Sequence, residues 1–380
     1  RVPLNLPAHP VTGAPNQTYR EHTIKNTAWA AFGQVIWDIT DNVELAGGAR
    51  YTKEDKTTRQ GNLYVDDRVP AAYNIKPQGV FLTNKFNDEN WSPEVTLSYK
   101  PTPNLNIYAA YKTGYKSGGA SIPTTITNVL TNESIGFGAE KSRGGELGIK
   151  GRLFDGKVSF TSVLYSYKLE GLQLVMPETT PAGLFVNYVR NAADAKTEGF
   201  EFDADFAVSP EMALQFGLSY NDAKITSFPN APCWSGQTAA TGCKVITTPQ
   251  GGSTSVTDRK GDPLSKAPKW VLNAGFNYET ELSSALLMGL SGQYKYSSSY
   301  RTQDDGAPYA FQPSYSTIDA TVRIGAVDRK WELALIGRNL TNEYYLQVTS
   351  PRPGAPTGTG ELHGVIARPR EVALQASFKF

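Results

Sequence analysis

The sequence of 380 residues has few cysteine and histidine side chains, which are common ligands of zinc and other transition metals. It contains two cysteines, Cys233 and Cys243, and three histidines, His9, His22 and His363. No metal-ligand spacing can be assembled from this set. We therefore expect no metal site and no cofactor. We identify no catalytic residue in the sequence and expect that the protein is not an enzyme.

The sequence also lacks an excess of either charge and a long apolar run. Its 37 basic residues are matched by 36 acidic residues, which argues against a nucleic-acid-binding protein. The longest strongly apolar run, at about 285–290, is far shorter than the ~20 residues of a membrane-spanning helix. A helical membrane protein is excluded. A membrane β-barrel is not, because its strands present only alternate residues to lipid.

Alternation of apolar and polar residues is clear in the last twelve residues, 369–380. Such a period of two places the two sets of side chains on opposite faces of a strand. The apolar set is Val372, Leu374, Ala376, Phe378 and Phe380. A half-buried strand of a soluble sheet and a lipid-facing strand both fit this segment alone. The terminal aromatic residue is typical of an aromatic girdle at a membrane interface.

The same period recurs along the chain and predicts about thirteen strands. Even-numbered residues are apolar in most of 200–208 and 212–220, on either side of a Ser209–Pro210 turn. Short turns alternate with long polar loops, the longest at about 225–266, and no helical period is present. This asymmetry predicts an all-β fold, a transmembrane antiparallel up-and-down β-barrel with long extracellular loops and short periplasmic turns.

An odd strand count has a consequence for the extent of this barrel. Single-chain bacterial barrels have even numbers of strands, so we expect at least one further strand upstream of Arg1. Residues 1–380 would then form part of a barrel domain, with first and last strands that lack a partner.

Several segments resemble those of TonB-dependent outer-membrane receptors. Residues 337–345, Gly-Arg-Asn-Leu-Thr-Asn-Glu-Tyr-Tyr, resemble the NLF(D/N)xxY segment of that family's penultimate strand. Residues 111–119 resemble its GYKSGG-type strand end, and 140–173 match its E-x-G-x-K hairpin. Pro369–Arg370, with Phe380 at the end, resembles its terminal signature.

The resemblance covers about 89–380 and implies an outer-membrane active-transport receptor of a Gram-negative bacterium. The cargo would be a scarce nutrient, most often a ferric siderophore in this family. The family's barrel has ~22 strands and a plugged lumen. About nine strands and the plug would therefore lie outside this sequence, and the chain alone should not transport.

The implied partners are outer-membrane lipid, the TonB complex, the outer-membrane assembly machinery and a ferric siderophore or other small nutrient, with no nucleic acid. A passive porin-like channel is the alternative function. A barrel enzyme is a third hypothesis, but no histidine has an obvious catalytic partner in the sequence.

Several residues are candidates for function in such a barrel. Asp203 and Asp205 alternate on one face, where we expect solvated lumen carboxylates and no acid–base pair. The expected lumen-facing polar residues are Arg50, Lys112, Lys116, Asp203, Asp205 and Arg323. The candidate ligand-contacting loop residues are Trp234, Tyr309, Phe311 and Arg352.

Two further expectations concern covalent structure and assembly. Cys233 and Cys243 lie in one loop, and an oxidising compartment favours a disulfide between them. The resemblance implies that the last strand is recognised by the assembly machinery. The residues that would form this C-terminal assembly signal are Val372, Leu374, Phe378 and Phe380.

Overall fold

The computed structural model describes residues 18–66, 73–123, 125–180, 185–248, 251–351 and 361–379. Among these residues, no helix is long and apolar enough to cross a membrane. A 3₁₀ turn covers Ala239–Thr241. In chain order the strands are β1 (Tyr19–Thr40), β2 (Val43–Tyr64), β3 (Phe81–Thr102), β4 (Leu105–Lys116), β5 (Gly119–Ala120), β6 (Gly136–Phe137), β7 (Glu140–Leu153), β8 (Val158–Thr179), β9 (Phe185–Ala207), β10 (Met212–Ser227), β11 (Ala231–Pro232), β12 (Lys244–Thr247), β13 (Ser253–Thr257), β14 (Trp270–Glu281), β15 (Leu286–Ser297), β16 (Tyr300–Arg301), β17 (Phe311–Gln312), β18 (Tyr315–Ala326), β19 (Trp331–Arg338), β20 (Leu346–Pro351), β21 (Leu362–Ile366) and β22 (Glu371–Phe378).

Thirteen of these strands form one continuous antiparallel path. Their order is β1-β2-β3-β4-β7-β8-β9-β10-β14-β15-β18-β19-β22. Each strand pairs with the next long strand in sequence, which is the meander that short turns produce. This confirms the prediction of an up-and-down fold with about thirteen strands. Within the described residues β1 and β22 are not paired with each other. The remaining short strands lie in the long connections.

Several strands extend further than the alternation predicts. The clear alternation of β2 ends near Thr52 and residues 58–88 are mostly polar, yet β2 continues to Tyr64 and β3 begins at Phe81. Likewise β9 begins at Phe185, although its alternation is clear only from Phe200. These extensions carry polar residues on both faces, so they have no period of two to reveal them. The extensions remain strand because their backbone N–H and C=O groups form hydrogen bonds with the neighbouring strand.

The strand register places the predicted apolar residues on one face. Phe202 is opposite Leu218, and Phe206 is opposite Leu214. On the other face Asp205 lies opposite Gln215, and Asp203 opposite Gly217. Because directly opposed residues share a face, this register separates an apolar face from a polar face across β9 and β10. The pairings of the other long strands continue both faces.

The polar face is the concave face of the sheet. Ser121, in the connection between β4 and β7, accepts a hydrogen bond on its carbonyl oxygen from Gln60 Nε2 of β2 at 2.9 Å. Its Oγ accepts another from the Val189 amide of β9 at 2.9 Å. In a flat sheet those two strands, five steps apart, would be separated by about 24 Å. The sheet must therefore curve around Ser121, with the apolar face outward.

Aromatic residues form two levels on the outward face. Trp29 and Trp37, Trp91 and Tyr99, and Trp270 and Tyr278 are each eight residues apart on one strand. That spacing is about 27 Å along a strand, or about 20 Å along the membrane normal at the tilt of barrel strands, close to the ~25 Å apolar band between girdles. In the level farther from the short turns, neighbouring rings are in contact. The ring centroids of Tyr51 and Trp91 lie 5.0 Å apart, and those of Tyr220 and Trp270 lie 4.8 Å apart.

A lysine placed within this band should destabilise the barrel only on the outward face. Phe216→Lys should cost about 2–4 kcal/mol, because Phe216 lies midway between the aromatic levels and a charge there would face lipid. Gln215→Lys, one residue away on the concave face, should cost less than about 1 kcal/mol. Urea unfolding of the full-length protein in lipid vesicles would measure both. Equal destabilisation by the two lysines would contradict the assignment of faces.

Candidate functional site

The connection between β4 and β7, residues 117–139 and called here the inner loop, lies across the concave face. Three of its apolar residues, Ile126, Leu130 and Ile135, are buried. They pack against Leu82 of β3 and against Val186 and Tyr188 of β9. This is one of two buried apolar clusters in the described chain, and both lie near the loop end of the sheet. Burial of this apolar surface holds the inner loop inside the curve of the sheet.

Strand side chains also fix both ends of the inner loop by hydrogen bonds. Lys56 Nζ donates to Ser117 Oγ at 2.8 Å and to the Gly118 carbonyl at 3.0 Å. At the other end Asn191 Nδ2 donates to the carbonyls of Gly138 and Ala139 at 3.0 and 3.1 Å. Because these partners belong to β2 and β9, the loop links strands from opposite sides of the described concavity.

A charged cluster lies beside the inner loop on β8 and β9. Arg190 Nη1 donates to the Ser134 carbonyl at 2.6 Å, and its Nη2 lies 3.7 Å from Glu178 Oε1. The Arg190 guanidinium also lies 4.8 Å from the centre of the Tyr188 ring. Burial raises the pKa of Glu178 and raises the pKa of Tyr188 to about 12. The cluster therefore presents a cation, together with a carboxyl group that is protonated more readily than usual.

A second group of loop contacts involves the disulfide. Cys233 and Cys243 are joined, with their sulfur atoms 2.07 Å apart. The next residue, Trp234, lies edge-on to Tyr309, with ring centroids 5.7 Å apart. Tyr309 Oη donates to the Ser235 carbonyl at 3.0 Å. Two of the predicted ligand-contacting residues, Trp234 and Tyr309, are thus brought together from connections far apart in sequence.

The other two predicted ligand-contacting residues lie elsewhere. Phe311 is on β17, opposite Arg301 of β16, and 47% of its surface is exposed. Arg352 lies outside the described residues. For all four residues, ligand contact stays a prediction.

The predicted lumen residues share the concave face by register. Lys112 and Lys116 of β4 form ion pairs with Glu146 and Glu140 of β7, at 2.8 and 3.3 Å. Arg323 of β18 forms an ion pair with Glu279 of β14. Two other predicted lumen residues form hydrogen bonds. Arg50 Nε donates to Thr52 Oγ1 at 3.1 Å, and Asp205 Oδ2 accepts from Ser159 Oγ at 3.4 Å. Asp203 lies between Thr161 and Gly217 in the register.

Sequence reasoning missed the inner loop and one histidine contact. Isolated apolar residues in the polar stretch 117–139 were the available signal for the loop. His363 Nε2 lies 2.7 Å from Ser350 Oγ, because the two residues are opposite each other on the hairpin of β20 and β21. The described residues contain no group of three His, Cys, Asp or Glu side chains that could hold a metal ion.

Residues 4–340 match the protein family described as TonB dependent receptor-like, beta-barrel. The probable TonB-dependent siderophore receptor PiuA of Acinetobacter baumannii is 23% identical over 318 residues, which cover 81% of this chain and 36% of that protein. The pesticin receptor of Yersinia enterocolitica is 25% identical over 211 residues, which cover 54% of this chain and 26% of that protein.

The fold is similar to that of a solved receptor. The crystal structure of the ferric yersiniabactin uptake receptor FyuA from Yersinia pestis superimposes with a TM-score of 0.72 at 17% identity. The similarity covers 97% of this chain and 48% of that chain. The matched regions therefore span about a quarter to a half of the length of these proteins.

Removal of the Ser121 hydroxyl should loosen the inner loop. Ser121→Ala leaves the Val189 amide without its partner, at a cost of about 1–3 kcal/mol. Limited proteolysis of the full-length protein should therefore cut within residues 117–139 about fivefold to a hundredfold faster. Thr131→Ala is the control, because Thr131 is exposed and its Oγ1 accepts a hydrogen bond from the nearby Ser134 amide in a local turn. Equal cleavage of both variants would show that Ser121 does not hold the loop.

The two cysteines should be inaccessible to thiol reagents until they are reduced. Maleimide labelling of the native, unreduced protein should give no adduct, and labelling after reduction should give two. The sulfur separation described above leaves no free thiol in the described chain. Labelling of both cysteines in untreated protein would refute the pairing.

Proposed function

The chain belongs to the family of TonB-dependent receptor β-barrels, and we propose that it forms part of an active-transport receptor for a ferric siderophore. Family membership places the chain in the outer membrane of a Gram-negative bacterium. In this proposal the concave face and its loops bind the ferric siderophore, and the TonB complex supplies the energy for its release inward.

The observation that carries the proposal is the inner loop across the concave face. Three buried apolar side chains, Ile126, Leu130 and Ile135, keep it packed between β3 and β9. A passive channel needs an open aqueous path, whereas a receptor needs a surface on which a scarce ligand is retained. The inner loop supplies such a surface at the loop end of the sheet, and together with the match to the receptor family it favours the receptor over the porin-like alternative.

Trp234 and Tyr309 supply a preorganised aromatic contact surface at the same end. Aromatic rings lose little conformational entropy on binding, and they account for many of the dominant contacts in binding sites. The disulfide and the Tyr309–Ser235 hydrogen bond hold the two rings in place before a ligand arrives. We therefore assign these two residues to the ligand surface.

We also propose that the outer-membrane assembly machinery recognises the C-terminal strand.

Growth under iron starvation tests the proposed transport. A strain that lacks its own siderophore receptors should recover growth when the full-length gene and one ferric siderophore from a panel of catecholate, hydroxamate and phenolate types are supplied. Recovery should disappear when TonB is deleted. Growth that persists without TonB would indicate a passive channel, and no recovery with any iron complex would refute iron uptake.

Binding variants test the ligand surface separately. Trp234→Ala and Tyr309→Ala should each weaken binding of the transported complex by about tenfold or more, as expected when an anchoring aromatic residue is removed. Phe154→Ala is the matched control, since Phe154 is an exposed aromatic residue in the turn at the opposite end of the sheet. Tryptophan fluorescence titration of the purified full-length proteins would measure affinity. Unchanged affinity in both loop variants would remove Trp234 and Tyr309 from the site.

A further inference from the structure

A row of four cationic side chains crosses the outward face of β7, β8, β9 and β10, one on each strand and each directly opposite the next. Arg143 is opposite Lys168, Lys168 is opposite Lys196, and Lys196 is opposite Lys224. All four share the face of Leu147, Leu164, Phe200 and Tyr220 by register. We call these four residues the cationic row.

Such an arrangement is unfavourable without a counterion. Like charges directly opposite each other on neighbouring strands destabilise a sheet. Elsewhere on the outward face the chain avoids this, for example where Lys53 is opposite Glu89 and their charged atoms lie 2.7 Å apart. The cationic row therefore departs from the charge pairing found on the neighbouring part of the same surface.

Nearby carboxylates compensate the row only in part. Arg143 forms an ion pair with Glu170, Lys196 with Glu198, and Lys224 with Asp222. Within the described residues no ion pair is formed by Lys168, which stands between Arg143 and Lys196. The side chains of the row's three paired members remain 38–56% exposed. The unused N–H donors of these side chains can still bind an anion.

The position of the cationic row along the membrane normal corresponds to the layer of lipid headgroups. It lies four residues beyond the outward aromatic level that contains Phe200 and Tyr220, which is about 14 Å along a strand and about 10 Å along the membrane normal at the tilt of barrel strands. Long lysine and arginine side chains can reach back several ångströms toward the membrane. The charged groups can therefore enter the polar layer just above the apolar band.

We propose that the cationic row, centred on Lys168, binds the phosphate of an anionic lipid in the outer leaflet. A phosphate carries up to two negative charges and three strong acceptor oxygens. It would neutralise the charge of Lys168 and accept additional hydrogen bonds from Arg143 and Lys196. The row faces lipid, away from the concave face that carries the proposed transport site, so this inference does not depend on which substrate is imported.

Native mass spectrometry of the full-length protein, released from detergent, tests the proposal. The probes are diphosphorylated lipid A, the same lipid after enzymatic removal of its phosphates, and inorganic phosphate. The wild-type protein should retain the phosphorylated lipid, should not retain the dephosphorylated lipid, and should not lose the bound lipid to millimolar inorganic phosphate. Lys168→Gln should bind the phosphorylated lipid about fivefold more weakly, and Lys168→Gln with Lys196→Gln about twenty-fivefold more weakly.

Lys85→Gln is the matched control. Lys85 is an exposed lysine on the outward face of β3, opposite Thr57 and outside the cationic row. Thermal unfolding in lipid-free neutral detergent gives a second measurement, in which Lys168→Gln should be as stable as the wild type or more stable, since it relieves repulsion. Equal retention of phosphorylated lipid by wild type and Lys168→Gln, or equal retention of the dephosphorylated lipid, would overturn the proposal. Displacement by inorganic phosphate would also overturn it, by showing a free-anion site.

Discussion

The structure depends on the pairing of backbone hydrogen bonds between successive antiparallel strands. In a bilayer, water cannot satisfy N–H and C=O groups, so each must find a partner in a neighbouring strand. The unbroken path of thirteen long strands meets this requirement across the described sheet. The same pairing sets the register, and the register separates an apolar outward face from a polar concave face. The positions of the aromatic levels and of the cationic row follow from it.

The loop end of the sheet obeys a different constraint. There the strands extend beyond the apolar band, both faces are polar, and stability comes from burial and specific hydrogen bonds within the loops. Ser121 and the apolar cluster around Ile135 join strands that are far apart in the sheet order. This end can therefore carry a binding surface, because its side chains are not required to meet lipid. The disulfide and the Trp234–Tyr309 contact form a second point of order at the same end.

Particular residues show where sequence reasoning succeeds and where it stops. The alternation around Phe200 and Phe216 predicts the outward face, because lipid on one side and solvent on the other impose a period of two on the sequence. No comparable pressure acts on β2 beyond Tyr51, where the alternation fades although the strand continues to Tyr64. Ile126 and Leu130 carry no period at all, so their place in a buried cluster could not be predicted from neighbouring residues.

The sequence by itself determined the fold class, the approximate number of strands, the outward and concave faces, and the family. These properties are local, since they arise from the alternation of adjacent residues and from short segments such as 337–345. The tertiary structure alone decided which residues meet across the concave face and which cations stand in one row. Ser121 with Val189, Trp234 with Tyr309, and Lys168 with Lys196 are 28 to 75 residues apart. Their proximity depends on strand register and sheet curvature, which a single sequence does not display.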